Sequence, residues 1–428
     1  MKKILQSFLL VLIGILFLVV GTESQAADKT VTVNRFLTLV YSDKKEEAIP
    51  IKNASVKILY YDAQGKRQIL RDDLTSDNNG EVKNVTVNVP EEITRIYFEY
   101  WLSRPETGNI VNAKGITYRP ITSWPIPENR TIDVTSTRFF VNSSHEDSKE
   151  YNYQSIKVWN LYYAMVNETR ESLQLALDNF HQLKTDFNYE IKPITVLYEN
   201  EHKRTDAAGF CSMSSDLGEV KKGTPYLCIP HIDAMKTYTR VQHDEWFNVN
   251  LSHEWQHWTM YLSIGKLVGG GYNGFTGNAN EAMSYKEGWT VFHANRYPYG
   301  YNWNWKLDNS VQIGNGNYAN CFGRSTIWTA NSVLRDIYDR ESPREPEDQY
   351  DIARDWMPDV ASKGDDYRMK LSNGLMFITM AKSKAKTLAE YIQYMKANGM
   401  VKNTAQFDAI LKLNGLDANG NYTLGPVN

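Results

Sequence analysis

The sequence has few of the residues that define several protein classes. It contains only three cysteines and eight histidines in 428 residues, which excludes a fold held together by many disulfides. Its 47 lysine and arginine residues are nearly balanced by 50 aspartate and glutamate residues, so no electrostatic case exists for a nucleic-acid partner. We interpret four lysines near the C-terminus as a solvated helical face. They are Lys382, Lys384, Lys386 and Lys396.

Long apolar runs are also scarce, and the one that stands out lies at the start of the chain. It covers residues 8–20, follows Lys2 and Lys3, and precedes the small residues Ser24 and Ala26. A basic start, a short apolar centre and a small-residue site are typical of a signal peptide. We therefore predict a cleaved signal at residues 1–26 and a secreted or periplasmic product with no stable membrane insertion. An uncleaved membrane anchor is the alternative.

The cysteines must be judged in the light of that predicted export. In an oxidising compartment Cys211 and Cys228 could close a short loop, which would stabilise the fold by about 3 kcal/mol. Cys321 would then be the odd thiol, either reactive or simply buried as a small apolar side chain. The connectivity stays open at the level of the sequence.

The first part of the mature chain has the pattern of a β-sheet domain. Short runs of β-branched and aromatic residues alternate with polar ones, and turn sequences at residues 62–65 and 77–80 separate these runs. The alternating apolar positions are Val56, Ile58, Tyr60, Val85, Val87, Val89, Ile96, Phe98 and Tyr100. This pattern predicts an all-β sandwich over residues 27–141.

Two stretches of this domain, residues 51–58 and residues 75–82, resemble the transthyretin-like module of the carboxypeptidase-regulatory type. The resemblance implies an immunoglobulin-like sandwich. Neither stretch contains an evident catalytic group, so a role as a spacer or folding aid is at least as acceptable as a binding role.

A polar segment follows, and the pattern then changes to one that favours helices. We predict a linker at residues 142–153 and a second domain at residues 154–428. The second domain opens with helical spacing over residues 154–184 and a strand over residues 191–198. The predicted fold class is multi-domain, with the β-sandwich followed by an α+β, mainly helical domain.

The strongest local signal is a His-Glu-x-x-His motif at residues 253–257. On a helix His253 and His257 share one face, so both imidazoles can bind one metal ion, while Glu254 lies beside the metal's open position. Helical spacing of Leu251, Trp255, Trp258 and Leu262 supports the helix, with Asn248 or Asn250 as its N-cap and Gly265 as its end. Two histidines that merely pack on an amphipathic helix are the alternative.

A catalytic zinc site needs a third protein ligand, and two glutamates compete for this position. Glu281 and Glu287 lie on one predicted helix over residues 278–295. Six residues apart, they point to different sides of the helix, so at most one can face the metal. We favour Glu287, because Gly288 beside it allows close helix packing; Glu281 is the alternative.

These motifs resemble the gluzincin superfamily of zinc metallopeptidases. Residues 253–261 are similar to its active-site helix, and Glu287-Gly288-Trp289 is similar to the ligand helix of its Glu-Gly-Trp members. Residues 325–338 and 371–415 are similar to its helical C-terminal half. The resemblance implies a zincin-like domain, a Zn²⁺ cofactor held by His253, His257 and Glu287, and Glu254 as catalytic base.

The expected function is therefore a secreted zinc-dependent peptidase that acts on peptide or protein substrates, glycoproteins included. One feature departs from the family pattern, which places an acidic residue four positions after the ligand glutamate; here Val291 follows Glu287 and Tyr285 follows Glu281 at that spacing. A non-catalytic surface or adhesion protein that keeps the fold is the first alternative. A structural-zinc protein is the second, although no fourth Cys or His ligand is visible.

Overall fold

The structure is a computed structural model that describes residues 28–41, 48–138, 149–199, 209–212, 215–230, 240–265, 280–299, 321–338 and 349–425. The predicted signal at residues 1–26 lies outside this range, as does most of the predicted linker. The chain divides into two compact units. Residues 1–102 and 119–156 form the first, and residues 103–118 and 157–428 form the second.

The described strands are numbered along the chain. They are β1 (Asp28–Tyr41), β2 (Ala48–Pro50), β3 (Ser55–Tyr61), β4 (Arg67–Thr75), β5 (Glu81–Pro90), β6 (Arg95–Trp101), β7 (Ser103–Arg104), β8 (Gly108–Val111), β9 (Ile121–Pro125), β10 (Thr131–Arg138), β11 (Ile194–Glu199), β12 (Gly209–Ser212) and β13 (Pro225–Pro230).

The described helices follow the same convention. They are α1 (Lys149–Asn179), α2 (Arg240–Ile264), α3 (Glu281–Tyr299), α4 (Ile327–Tyr338), α5 (Ile352–Trp356), α6 (Asp365–Ser383), α7 (Leu388–Ala397) and α8 (Thr404–Leu413), with 3₁₀ turns at His181–Lys184 and Val360–Lys363. The predicted layout, a β-rich N-terminal part followed by a helical C-terminal part, is confirmed at this level.

The first unit contains two β-sheets. One has the order β10–β1–β2, with β5 also paired to β1, and the other has the order β4–β3–β6–β9. Phe36 of β1 stacks on Phe98 of β6 with ring centroids 3.7 Å apart, and the Thr38 and Tyr100 hydroxyls lie 2.9 Å apart. The inner faces of the two sheets therefore form one buried core, which holds the alternating apolar positions of β5 and β6.

The turns of this unit follow the chemistry that their sequences predict. In the turn after β3 the Gly65 amide donates to the Asp62 carbonyl, and in the turn before β5 the Gly80 amide donates to the Asp77 carbonyl. Both glycines have positive φ, +74° and +82°. A β-carbon on Gly80 would lie 2.6 Å from Cβ of Pro50, so both the backbone conformation and the space favour glycine at this position.

Residues 103–118 leave the first unit and complete the sheet of the second. That sheet has the order β12–β13–β11–β8–β7, in which β11 runs parallel to both β8 and β13. Strands β8 and β11 approach closely, since a β-carbon on Gly108 would lie 2.0 Å from the Ile194 carbonyl oxygen. The Thr117 amide and hydroxyl also donate to Glu219. The sequence pattern did not predict this exchange of a segment between the two units.

Helix α1 begins at Lys149, inside the segment predicted to be a linker, and covers much of the helical pattern that follows. Its Tyr162 hydroxyl lies 2.6 Å from the Thr107 carbonyl oxygen and 3.1 Å from that of Ile194. This contact joins the helix to two parallel strands of the sheet. The predicted strand at residues 191–198 is observed as β11, a few residues later.

None of the three cysteines forms a disulfide in the structure, so the bridge considered between Cys211 and Cys228 is not formed. The register explains this result. In the β12–β13 ladder Cys211 lies opposite Tyr226, and Cys228 lies opposite Gly209. The two cysteines are therefore diagonal neighbours, a relationship that is wider than that of direct cross-strand partners.

Among the described residues, no helix has both the length and the apolar character that a membrane crossing requires.

Candidate metal centre

The His-Glu-x-x-His motif lies on α2, a helix that is buried along much of its described length. Leu251 and Trp255 are fully buried, and Trp258 is nearly so. Gly265 ends the helix with φ +81°, as its position in the sequence predicts. The N-cap prediction was wrong, because the helix begins at Arg240 and Asn248 and Asn250 lie inside it.

Both histidines project to the same side of this helix. Their ring centroids are 4.8 Å apart, and the ring planes are nearly perpendicular. Potential ligand atoms of His253, Glu254 and His257 all lie within 4.8 Å of one another. Among the described residues, these three form the one cluster in which at least three possible metal ligands lie this close together. The motif thus brings together the groups that its spacing predicts.

Glu287 of α3 approaches the two histidines from a second helix. Its Oε2 atom lies 3.2 Å from Nε2 of His253 and 3.5 Å from Nε2 of His257. Ligand atoms that bind one tetrahedral zinc ion at about 2.1 Å are about 3.4 Å apart. The two distances from the Glu287 oxygen to the imidazole nitrogens therefore match this spacing, and both residue types are zinc ligands.

Two carboxylates thus lie near the histidine pair, and their positions differ. One oxygen of Glu287 lies within 3.5 Å of both imidazoles. Glu254 makes no such contact with either ring. Both glutamates are buried, with 8% and 7% of their surfaces exposed. On distance, Glu287 is the better third ligand, and Glu254 is left as a carboxylate beside the cluster.

Glu281, the alternative ligand, lies elsewhere. It occupies the first turn of α3 and is exposed. Its charge contributes to the raised pKa of the half-buried Tyr422, whose main cause is burial of the phenol hydroxyl. Glu281 does not contact the histidines, so the structure does not place it in the ligand position.

Gly288 determines how α3 packs on α4. A β-carbon at this position would lie 2.5 Å from Cβ of Ala330 and 3.0 Å from the Ile327 carbonyl oxygen. These distances are too short for any side chain, so the two helix backbones meet where the glycine is. Glu287 is adjacent, and its position therefore depends on a close helix contact.

Two further residues of α3 contact the cluster. The ammonium group of Lys286 lies 3.0 Å from Oε1 of Glu287, the oxygen that the histidines do not contact. The Thr290 hydroxyl donates to the Glu287 carbonyl and lies 3.3 Å from Nε2 of His253. Sequence reasoning missed both. Thr290 could have been found, because it follows Glu287 by three residues on the same helical face.

The Glu287 carboxylate and the His253 imidazole interact as an ion pair. Burial by itself would raise the pKa of the Glu287 carboxyl, but hydrogen bonds from His253 and His257 outweigh it and hold that pKa well below its usual range. Burial would lower the pKa of His253, yet the bond to Glu287 and the charge of Glu254 raise it. The Glu287 carboxylate thus stabilises positive charge on the His253 imidazole.

The positions that the family pattern makes acidic have packing roles here. Val291 packs against the buried pair Cys321 and Trp328, and Tyr285 is fully buried with its ring 5.8 Å from that of Tyr391. Among the described residues, Nδ1 of His257 has no hydrogen-bond partner. The support that such imidazoles usually receive from a carboxylate is therefore not provided by α3.

His293 and Arg324, two further side chains that can donate hydrogen bonds, make contacts of their own in the second unit. His293 is buried among the rings of Trp289, Phe292 and Phe377. Arg324 donates to the Gly425 carbonyl. Residues 269–274, the glycine-rich stretch between the two motifs, lie outside the described residues.

Comparisons of this chain with protein-family models, with curated proteins and with solved structures found no match.

Proposed function

We propose that this protein is a zinc-dependent peptidase. The observation that carries the proposal is the position of Glu287, whose single oxygen Oε2 lies 3.2 Å and 3.5 Å from Nε2 of His253 and His257. Two imidazoles and one carboxylate at these distances suit a catalytic zinc ion, which takes three protein ligands and keeps one position open.

In this proposal His253, His257 and Glu287 hold the metal. When bound, zinc acts as a Lewis acid toward the carbonyl group of a peptide bond and makes water more acidic. The ligands are prearranged, because α2 fixes both imidazoles and the contact of α3 with α4 fixes the carboxylate. Lys286 binds Oε1 of Glu287, which directs the other oxygen toward the imidazoles.

Glu254 has the role of general base. Its carboxylate lies beside the histidines without pairing with either, and it is buried. A carboxylate in this position can take a proton from the attacking water and give it to the leaving amine. A protein that only bound zinc would have no need for the Glu254 carboxylate beside the three ligands.

The finer fold assignment belongs to the same proposal. The second unit combines a mixed five-stranded sheet with helices that carry the two motifs, and this supports a zincin-like, gluzincin-type catalytic domain. With the predicted signal peptide, we infer that the enzyme is exported and acts on peptides or proteins outside the cytoplasm.

The test is cleavage of a diverse peptide library by the purified protein, read by mass spectrometry beside Glu254→Gln. The parent should produce cuts that Glu254→Gln does not, while both bind one zinc ion per chain. Glu281→Gln is the matched control and should cleave like the parent, because Glu281 is exposed and distant from the histidines. Bound zinc with no cuts by the parent would reject the peptidase and favour a surface or adhesion protein.

A further inference from the structure

A second candidate site lies in the second unit, in a cavity that the metal centre does not use. The cavity has a volume of about 620 Å³ and is lined by the residues after the first 3₁₀ turn, the end of α5, the end of α6 and the loop after α7. This volume is in the range of pockets that bind small molecules. Three of its lining residues are lysines, Lys382, Lys384 and Lys402.

Two of the ammonium groups are held in place by neutral acceptors. Lys382 donates to the carbonyl oxygens of Thr185 and Leu183, at 2.8 Å and 3.3 Å. Lys402 donates to the Gly399 carbonyl at 2.6 Å and lies 4.2 Å from the ring centroid of Trp356. These bonds fix the positions of the charges but leave them unneutralised, so both can still attract an anion.

The charge of the cavity is positive in a chain whose net charge is −3. Asp186 is the one carboxylate among the described lining residues, and no described carboxylate forms an ion pair with any of the three lysines. Lys384 and Lys386 are exposed, as a solvated face predicts, whereas Lys382 is half-buried and donates to the Thr185 and Leu183 carbonyls. Lys396, by contrast, pairs with Asp408.

The remaining lining residues indicate the shape and polarity of a ligand. Phe187, Tyr189 and Tyr394 are half-buried rings, while Gln182, Asn188 and Asn398 supply side-chain amides. Aromatic faces accept the apolar face of a ring, and amides bond to hydroxyl groups. No described strand lines the cavity, so it offers no sheet edge to which an extended peptide could add.

We propose that this cavity binds a compact anionic carbohydrate, meaning a sugar ring that carries a carboxylate, phosphate or sulfate group. The lysines bind the charged group, and the rings and amides bind the sugar. Because the cavity residues are separate from His253, His257, Glu254 and Glu287, the proposal stands or falls independently of the peptidase.

The experiment is calorimetric titration of the purified protein with glucuronate, a glucose phosphate and a glucosamine sulfate. Glucose, inorganic phosphate and triglutamate are the comparison ligands. At least one charged sugar should bind saturably and more tightly than all three comparison ligands, and its affinity should fall as the salt concentration rises. The charged sugar that binds most tightly identifies the anionic group.

Lys384→Glu is the decisive variant, because the Lys384 side chain makes no bond to any described residue and its loss should leave folding intact. It should weaken binding about tenfold or more, the scale of a lost charge-assisted hydrogen bond. Lys386→Glu makes the same charge change two residues away, outside the cavity, and should bind like the parent. The double variant Lys382→Gln with Lys402→Gln should bind more weakly than Lys386→Glu.

Four results would overturn the proposal. They are absence of saturable binding by every charged sugar, inorganic phosphate binding as tightly as the sugar phosphate, triglutamate binding more tightly than the sugars, and equal losses in Lys384→Glu and Lys386→Glu. The second would leave a simple anion site, and the third would indicate an acidic peptide.

Discussion

Gly288 and Ala330 lie so close that a β-carbon added to the glycine would be 2.5 Å from that of the alanine. This contact joins α3 to α4 next to the residue that completes the candidate metal centre. Any side chain at position 288 must push the helices apart, and Glu287 would move with α3.

The first prediction follows from that contact. Gly288→Ala should lower the free energy of unfolding by about 1–3 kcal/mol, the usual cost of overpacking a well-packed core, and it should also weaken zinc binding. Chemical denaturation and zinc titration measure the two effects. Gly425→Ala is the control, since a β-carbon there would meet nothing within 4 Å. Equal stability of the two variants would show that the helices can separate freely.

The second prediction concerns the third metal ligand. Glu287→Ala should lose stoichiometric zinc, because it removes the oxygen that lies 3.2 Å and 3.5 Å from the two imidazoles. Glu281→Ala should keep one zinc ion per chain. Zinc content after dialysis, measured by atomic emission, distinguishes them. Loss of metal from Glu281→Ala alone would reverse our assignment of the ligand.

The third prediction concerns stability and pH. Burial would raise the pKa of Asp77, but hydrogen bonds from Lys83 and from the amides of Glu81 and Asn79 lower it below its ordinary value of 3.8. Asp77 therefore contributes stability above pH 3.8, and this contribution is lost as the pH falls through the lower, folded-state pKa.

Asp77→Asn should accordingly be less stable than the parent at neutral pH, and the difference should shrink in strong acid. Thermal unfolding of the full chain across the acidic range measures this trend. Asp133→Asn is the control, because Asp133 is exposed on β10. A constant difference between Asp77→Asn and the parent at every pH would contradict the prediction.

The fourth prediction concerns a buried ion pair between Arg368 of α6 and Asp351, the N-cap of α5. Arg368 donates to Asp351 at 3.0 Å, and their side chains are 4% and 0% exposed. Arg368→Met leaves the carboxylate without its main partner and should cost about 3–5 kcal/mol. Lys370→Met, two residues away, breaks the more exposed pair with Glu171 and should cost at most about 1 kcal/mol. Denaturant unfolding of both variants compares the two costs.

The fifth prediction concerns the thiols. A thiol reagent should react with three thiols in the unfolded protein, since no cysteine forms a disulfide in the structure. In the folded protein Cys211 should react first, because Cys228 and Cys321 are buried and burial raises the pKa of the Cys321 thiol. Only one reactive thiol after unfolding without a reductant would show that a disulfide forms.

Local patterns in the sequence predicted much of the fold. Alternation located the strands that carry Val85, Ile96 and Phe98, and the motif at residues 253–257 located a helix that ends at Gly265. These features depend on neighbours within a few residues, so the sequence contains the necessary information. The start of α2 was missed because Asn248 and Asn250 are good caps in isolation, yet the helix continues to Arg240.

Features that depend on distant partners were not predictable in the same way. The diagonal register of Cys211 and Cys228 depends on how β12 pairs with β13, and the hydrogen bonds from Thr117 to Glu219 join residues that are 102 positions apart. The structure brings Glu287, and not Glu281, beside the histidines, and the close helix contact at Gly288 lies next to it. Its role as a ligand remains a prediction until zinc is measured.

The exchange of residues 103–118 between the units makes the two parts of the protein hard to separate. A fragment that begins at α1 would contain both motifs but would lack β8, and β11 would then present an unpaired edge to other molecules. Such an edge recruits strands from neighbouring chains and leads to aggregation. A catalytic fragment should therefore be designed with residues 103–118 supplied, either by keeping the whole chain or by joining that segment through a new connection.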